Sequence, residues 1–268
     1  MSDVAYRPSA AEVKELREQT QAGMMDCKRA LEETAGDMDA AKKWLREKGI
    51  AQAAKRSDRE SSQGAIAVAN TGTAAAAVEL KCETDFVAKA PEFTGLVAEL
   101  AEAVAAKGEA AAGERLADIT DLGATLKENI ALGRTVRFEA VEDAVLDTYL
   151  HVQSDRGVIG VLVELTDGDQ ALAHEVALHI ASANPRYLSR DDVPPQVVAE
   201  EREVLENLTR NEGKPQQAVP KIVEGRLNGF FKDACLLEQP FVKDQKRTIR
   251  QLLGGATVTR FARLEIGK

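Results

Sequence analysis

The sequence has no long hydrophobic run and few cysteines. No window of about 18 residues is free of charge and apolar throughout, and the start lacks the basic-then-apolar order of a secretory signal. We therefore expect no membrane association and a cytoplasmic location. Cys27, Cys82 and Cys235 lie far apart and form no C-x-x-C pair. This spacing argues against a disulfide framework or a zinc ribbon and favours reduced thiols.

Positive charge is also in deficit. Lys and Arg number 35 against 44 Asp and Glu, so the net charge is −9. Broad nucleic-acid binding needs clustered cations to replace the counterions of the phosphates. We therefore expect no direct contact with nucleic acid.

Motifs of catalytic and nucleotide-binding sites are missing as well. Neither G-x-x-x-x-G-K-[ST] nor G-x-G-x-x-G occurs, so the backbone cradle for phosphates is absent, and there is no G-x-S-x-G nucleophile elbow. His151, His174 and His179 lack the helical spacing that a zinc site needs. The residues alone predict no metal, no cofactor and no enzyme activity, and they favour a protein that interacts with other proteins.

The sequence does have the length for more than one compact unit. At about 150 residues per domain, 268 residues predict two or three domains. Residues 1–56 are expected to form three short helices, with a capping box at Ser9 and Glu12 in the first and Gly49 closing the last. So small a core favours an adaptor module over an enzyme domain. The polar residues 57–64 are expected to form a linker.

Two similar α+β halves are predicted for the remainder, residues 65–147 and 148–268. The first half begins with a hairpin that turns at residues 70–72. Pro91, at a favoured first helical position, then starts a helix, and residues 135–141 return as a strand. The predicted fold class is therefore α+β with small antiparallel sheets.

Short matching strings indicate that the second half repeats this plan. Val-Glu-Leu occurs at residues 78–80 and again at 163–165, each time near the end of a predicted strand. A helical hairpin, residues 195–237, is inserted before the last strand and offers an apolar flank to a partner. Pro220 predicts a break early in the second helix of this hairpin.

Two segments are unusual for buried structure. Met24 and Met25 are adjacent, and a helix turns about 100° per residue, so we expect one of them to be exposed, where methionine makes adaptable binding surfaces. Packing of both inside the module is the alternative. Asp85 and Phe86 fall between a strand and a helix. The ring either stands at an exposed tip or folds back into the core with Asp85 as a helix cap.

These segments and two others together resemble bacterial elongation factor Ts. The strings are LREQTQAGMMDCKRAL, CETDFVAKA, YLSRDDVP and KIVEGRLNGFFKDACLLEQPFV, and their order and spacing match over nearly the whole chain. The resemblance implies a guanine-nucleotide exchange factor for elongation factor Tu, the GTPase that delivers aminoacyl-tRNA to the ribosome. Such a factor promotes GDP release by displacing the magnesium ion and allows GTP to rebind, without covalent chemistry. It also implies a ubiquitin-associated-like three-helix module.

The resemblance further implies which residues contact the GTPase. Residues 84–87, which we call the wedge segment, would press against the GTPase domain near its magnesium and phosphate sites, with Phe86 as the wedge; the segment comprises Thr84, Asp85, Phe86 and Val87. A histidine of the second half, His151 here, would join the wedge. The N-terminal module would grip a helix of the same domain through Arg17, Met24, Met25 and Lys28.

Some alternatives stay open at this point. A ubiquitin-associated-type adaptor could recruit another client through residues 1–50, and an enzyme using Asp85 and His151 would need a substrate pocket that no motif supplies. The resemblance is compatible with dimerisation of the complex through the hairpin or the core. Gln21 stands where the family usually has glycine, so the turn before Met24 is expected to differ.

Overall fold

Three helices form the N-terminal part of the chain. The computed structural model describes residues 6–20, 22–54 and 59–268, with residues 50–54 described in their backbone only. The helices are α1 (Ala10–Thr20), α2 (Met24–Glu33) and α3 (Met38–Ala54). The predicted capping box is confirmed, because Ser9 N donates to the Glu12 carboxylate at 2.7 Å and Glu12 N donates to Ser9 Oγ at 3.3 Å. The helices enclose a small core made by Val13, Leu16, Cys27, Ala30, Leu31 and Ala41.

Helix α3 continues beyond Gly49, so the prediction that this glycine closes the module is wrong. One interior glycine costs a helix only about 1 kcal/mol relative to alanine, which does not suffice to end it. A Cβ on Gly49 would lie 2.8 Å from the Cβ of Ala124. Gly49 therefore allows close packing of α3 against the helix that carries Ala124.

The first antiparallel sheet follows the order β1-β2-β3, with β1 (Gln63–Asn70), β2 (Ala74–Cys82) and β3 (Ala131–Glu139). The predicted hairpin is confirmed, and its turn is held by Gly72 N, which donates to Asn70 Oδ1 at 2.8 Å. β3 begins four residues earlier than the predicted strand at 135–141. Between β2 and β3 lie α4 (Asp85–Ala88), α5 (Pro91–Lys107), α6 (Ala110–Glu114) and α7 (Leu116–Leu126).

The second antiparallel sheet has the order β4-β5-β8, with β4 (Val145–Gln153), β5 (Arg156–Thr166) and β8 (Thr257–Glu265). Between β5 and β8 lie α8 (Gln170–Ala183), α9 (Pro195–Asn211), α10 (Val219–Ala234), β6 (Pro240–Phe241), β7 (Asp244–Thr248) and α11 (Ile249–Leu253). Strand β4 was not predicted, and it starts ahead of the domain boundary predicted at residue 148. The domain boundaries themselves stay predictions.

The predicted break at Pro220 is wrong. Pro220 is the second residue of α10, within the first helical turn. Backbone N–H groups in the first turn have no intrahelical acceptor, so proline is tolerated there. The helix therefore starts beside Pro220, and α9 and α10 pack against each other as the inserted hairpin.

The two sheets pack face to face, with α5 outside the first and α8 outside the second. The layer between the sheets is apolar and contains Ile66, Ala75, Ala77, Phe138, Leu146, Leu162 and Leu264. Glycines of β5 make the close approach possible: a Cβ on Gly157 would lie 2.1 Å from the Ile66 carbonyl oxygen, and one on Gly160 would lie 2.6 Å from Ile66 Cγ2. The α+β fold class is thus confirmed, as a helix, two sheets and a helix in successive layers.

Each sheet also contains one buried glutamate, in the repeated Val-Glu-Leu string. Glu79 and Glu164 are both 1% exposed. Arg134 Nε donates to Glu79 and Arg260 Nη2 donates to Glu164, both at 2.8 Å. Burial opposes ionisation, yet the arginines outweigh it and hold the pKa of both carboxyls below the ordinary value.

The two arginines also join the sheets to each other. Arg134 of the first sheet donates to the Glu265 carbonyl oxygen at 2.6 Å, and Arg260 of the second donates to the Glu139 carbonyl oxygen. Each ion pair therefore has a bond to the opposite sheet. Both sheets thus repeat hairpin, helix and return strand, in line with the prediction of two similar halves, and the repeated ion pair was not predicted.

Candidate partner-binding surface

The short helix α4 presents Phe86 to solvent. Its N-cap is Thr84, whose Oγ accepts a hydrogen bond from Val87 N at 3.4 Å. Ala88 is fully buried and Val87 packs against the core between the first sheet and α5. The Phe86 side chain, by contrast, is 83% exposed. The interpretation in which Phe86 folds back with Asp85 as a cap is therefore wrong.

The turn before α4 is held by Glu128, the second residue after α7. Its carboxylate accepts hydrogen bonds from Glu83 N and Thr84 N, both at 3.0 Å, and from the Thr84 hydroxyl. The Glu83 carboxylate in turn accepts from Asn129 N at 2.7 Å. Because these bonds run in both directions, the start of α4 is fixed relative to the segment that leads into β3. Sequence reasoning missed Glu128, since no motif marks a carboxylate so far along the chain from its partners.

Local contacts also fix the backbone on both sides of Phe86. Lys89 Nζ donates to the Asp85 carboxylate at 2.6 Å, and this bond lowers the pKa of Asp85. Burial, followed by the negative charge of Glu128, raises the pKa of Cys82 to about 12. Cys82 therefore stays protonated and donates to the Thr84 carbonyl oxygen at 3.2 Å.

His151 lies on β4, two residues before the end of the strand. Two residues later Gln153 pairs with Arg156, whose guanidinium donates to Gln63 Oε1 at 3.0 Å. Gln63 in turn pairs with Cys82, the last residue of β2. The fold therefore places the exposed His151 at the same edge of the core as the turn that leads to Phe86.

Both methionines of the N-terminal module are exposed, Met24 to 55% and Met25 to 72%. Packing of both inside the module is therefore wrong, and the expectation of a single exposed methionine was too narrow. Met24 lies on the same helical face as Cys27, but it is the first residue of α2 and so lies at the N-terminal end of that face. Arg17 is exposed on α1, and Lys28 is exposed beside Glu32, 3.7 Å away. Gln21, where we expect a different turn, lies outside the described residues.

The part of the chain that the structure describes contains neither a membrane-spanning helix nor a cluster of metal-binding side chains. Over residues 6–20, 22–54 and 59–268, no helix is long and apolar enough to cross a membrane. In the same part of the chain, no group of three or more His, Cys, Asp and Glu side chains is placed to hold a metal ion.

Exposed apolar side chains such as Phe86, Met24 and Met25 are typical of proteins that bind other proteins. A family model described as Elongation factor TS matches residues 83–268, more than half of the chain. The chain therefore belongs to the elongation factor Ts family, a family of nucleotide exchange factors for elongation factor Tu rather than of catalytic enzymes.

Similarity to individual relatives extends over the N-terminal module as well. The chain is 48% identical over 277 residues to Elongation factor Ts of Thermobifida fusca (strain YX), which covers 97% of this chain and 98% of the relative. It is 48% identical over 274 residues to that of Mycobacterium tuberculosis (strain ATCC 25177 / H37Ra), with the same coverage. For Nitratidesulfovibrio vulgaris (strain DP4) the identity is 44% over 279 residues, covering 97% and 96%. These matches favour the exchange factor over the adaptor.

Proposed function

We propose that Phe86 is a wedge that opens the nucleotide site of GDP-bound elongation factor Tu. The wedge segment enters beside the partner's magnesium ion and the phosphates, displaces the ion and promotes GDP release, after which GTP rebinds. The observation that carries this proposal is an 83% exposed ring on a turn that is hydrogen-bonded on both sides. A segment that is already ordered loses little conformational entropy on binding.

The ring and the displaced ion act together. A thousandfold faster release corresponds to about 4 kcal/mol of barrier, whereas complete burial of one phenylalanine contributes about 1.5–3 kcal/mol. Loss of magnesium leaves the diphosphate charge uncompensated and supplies the difference. Because binding is reciprocal, GDP weakens binding of the exchange factor by the same factor by which the exchange factor weakens GDP binding. The chain therefore accelerates both the release and the rebinding of nucleotide.

Other exposed residues supply binding energy around the wedge. His151 joins Phe86 at the GTPase domain, and the N-terminal module grips a helix of the same domain through exposed side chains that comprise Arg17, Met24, Met25 and Lys28. The partner's distal domain binds the second half of the core. Dimerisation of the complex stays a prediction.

The test of this mechanism is release of fluorescent GDP from elongation factor Tu at several concentrations of free magnesium. We expect the chain to accelerate release in millimolar magnesium and to have a much smaller effect once a chelator has removed the ion. Serum albumin at equal concentration is the control. Absence of acceleration would refute the proposal, and acceleration of equal size with and without magnesium would refute displacement of the ion.

Removal of residues 1–56 should strongly reduce stimulated GDP release while the core stays folded. We expect the half-saturating concentration in the same assay to rise at least about tenfold, equivalent to about 1.4 kcal/mol of binding free energy. A Met24→Ser/Met25→Ser variant keeps the module core, which neither exposed side chain enters, and should shift the same quantity in the same direction. Thermal unfolding reports core integrity. Full exchange by the truncated chain at the original concentration would contradict the gripping role.

A further inference from the structure

Three consecutive residues between α7 and β3 contact separate parts of the chain. We call Lys127, Glu128 and Asn129 the junction. Lys127 Nζ lies 3.3 Å from Oδ2 of Asp26 in the N-terminal module. Glu128 holds the turn before the wedge segment, and Asn129 Nδ2 donates to the Arg59 carbonyl oxygen, ahead of β1, at 2.8 Å. The junction thus contacts the module, the start of the wedge segment and the segment that connects the module to the core.

The backbone leaves the helical conformation at the first residue of the junction. Lys127 caps α7 in the left-handed conformation, with φ +62° and ψ +29°. The helix α7 itself lies against α3, where Arg46 pairs with Asp121 at 2.9 Å. Helix α7 therefore contacts the module through α3, and the junction at the C-terminal end of α7 holds the turn before α4.

The module side of the junction is an ionic contact. Asp26 accepts from Lys48 at 3.2 Å as well as from Lys127. Burial opposes the charge on this carboxyl, but the two lysines outweigh burial and lower its pKa. Asp26 therefore carries its negative charge near neutral pH.

The wedge side depends on a carboxylate. Two backbone N–H groups and one hydroxyl donate to the two oxygens of Glu128, and hydrogen bonds to an ionised acceptor are stronger than neutral ones. A glutamine amide has one acceptor oxygen and presents an NH₂ group in place of the other. Substitution by glutamine would therefore leave the turn incompletely bonded without changing the size of the side chain.

We propose that Glu128 is a positioning residue for nucleotide exchange and that the junction sets the placement of Phe86 relative to the exposed methionines of the module. This inference rests on the proposed function of Phe86 as the wedge. A reacting or displacing group that is misplaced by about 1 Å loses rate even when binding is intact. Glu128 therefore controls the maximal rate of stimulated GDP release more than the affinity for the GTPase.

The first experiment measures fluorescent GDP release against concentration for full-length Glu128→Gln. We expect the maximal rate to fall about fivefold to tenfold, with the half-saturating concentration unchanged. Glu128→Asp keeps the charge one methylene further back and should lie between. The control is Glu99→Gln, which removes an exposed ion pair with Arg115 on the same half and should behave as the unaltered chain. An unchanged maximal rate for Glu128→Gln, or a rise in half-saturating concentration alone, would overturn the proposal.

The second experiment asks whether Glu128 acts through Phe86. We expect Glu128→Gln to add nothing further in the Phe86→Ala background, whereas effects that multiply would show an independent role and overturn positioning. Amide hydrogen exchange at Glu83 and Thr84 should be faster in Glu128→Gln, and unchanged exchange would show that the contact does not hold the turn. If Phe86→Ala alone leaves the rate of stimulated GDP release unchanged, the proposal that Phe86 is the wedge is refuted, and this inference is refuted with it. The single variants thus separate the two failures.

Discussion

The Phe86→Ala chain should release GDP from elongation factor Tu about tenfold to a hundredfold more slowly than the unaltered chain at saturation. Burial of a phenylalanine side chain is worth about 1.5–3 kcal/mol, and about 1.4 kcal/mol corresponds to tenfold in rate. The ring is 83% exposed in the free chain, so its removal takes little away from the core. We therefore expect the thermal unfolding midpoint to stay where it is.

Stopped-flow measurement with fluorescent GDP gives this rate directly. Leu116→Ala is the matched control, because Leu116 is an apolar side chain of the same half, 53% exposed, and has no assigned contact with the partner. It should leave exchange unchanged. Equal release rates for Phe86→Ala and the unaltered chain would remove the basis of the wedge.

The second large effect is expected in the core, from Arg260→Met. This change leaves the Glu164 carboxylate buried without its cationic partner. Breaking a buried pair costs about 3–5 kcal/mol, and we expect about 3 kcal/mol because Arg260 is itself 38% exposed and water can reach part of the site. Arg202→Met removes an exposed pair with Glu224 on the hairpin and should cost less than about 1 kcal/mol.

The pH dependence of this loss has a definite sign. In the unaltered chain Arg260 holds the pKa of Glu164 below its ordinary value, so the pair stabilises the fold above about pH 4.5 and the contribution is lost as the pH falls below that value. Without Arg260, burial favours the protonated acid. The difference in unfolding free energy should therefore be larger at pH 7.5 than at pH 4.5 in urea titrations. A difference that is independent of pH would show that the charge of Glu164 is not the cause.

Local signals were sufficient for much of the fold. The Ser9 capping box, the turn at Gly72 and the helix start at Pro91 each depend on residues within one turn of each other, and each is where the sequence predicts it. Gly49 misled the prediction because its effect depends on Ala124, a residue far away in the chain. Strand β4 was missed because polar residues interrupt its alternation, and one of them, Asp147, is buried through its bonds to Gln170 and His174.

The candidate surface was predictable in part. The resemblance predicted Phe86 as a residue that contacts the partner, whereas the local pattern allowed both an exposed and a buried ring. Glu128 could not be found in the same way, since its partners Glu83 and Thr84 lie on the other side of α5, α6 and α7 in the sequence. Contacts of this kind follow only from the tertiary fold.

The close approach at Gly157 also limits which residues this position accepts. Because the Ile66 carbonyl oxygen lies where a Cβ on Gly157 would have to be, any other residue at this position would push β5 away from β1. The hydrogen bonds that Arg134 and Arg260 make to the opposite sheet would then have to lengthen. A single missing side chain therefore sets the spacing on which the polar contacts between the sheets depend.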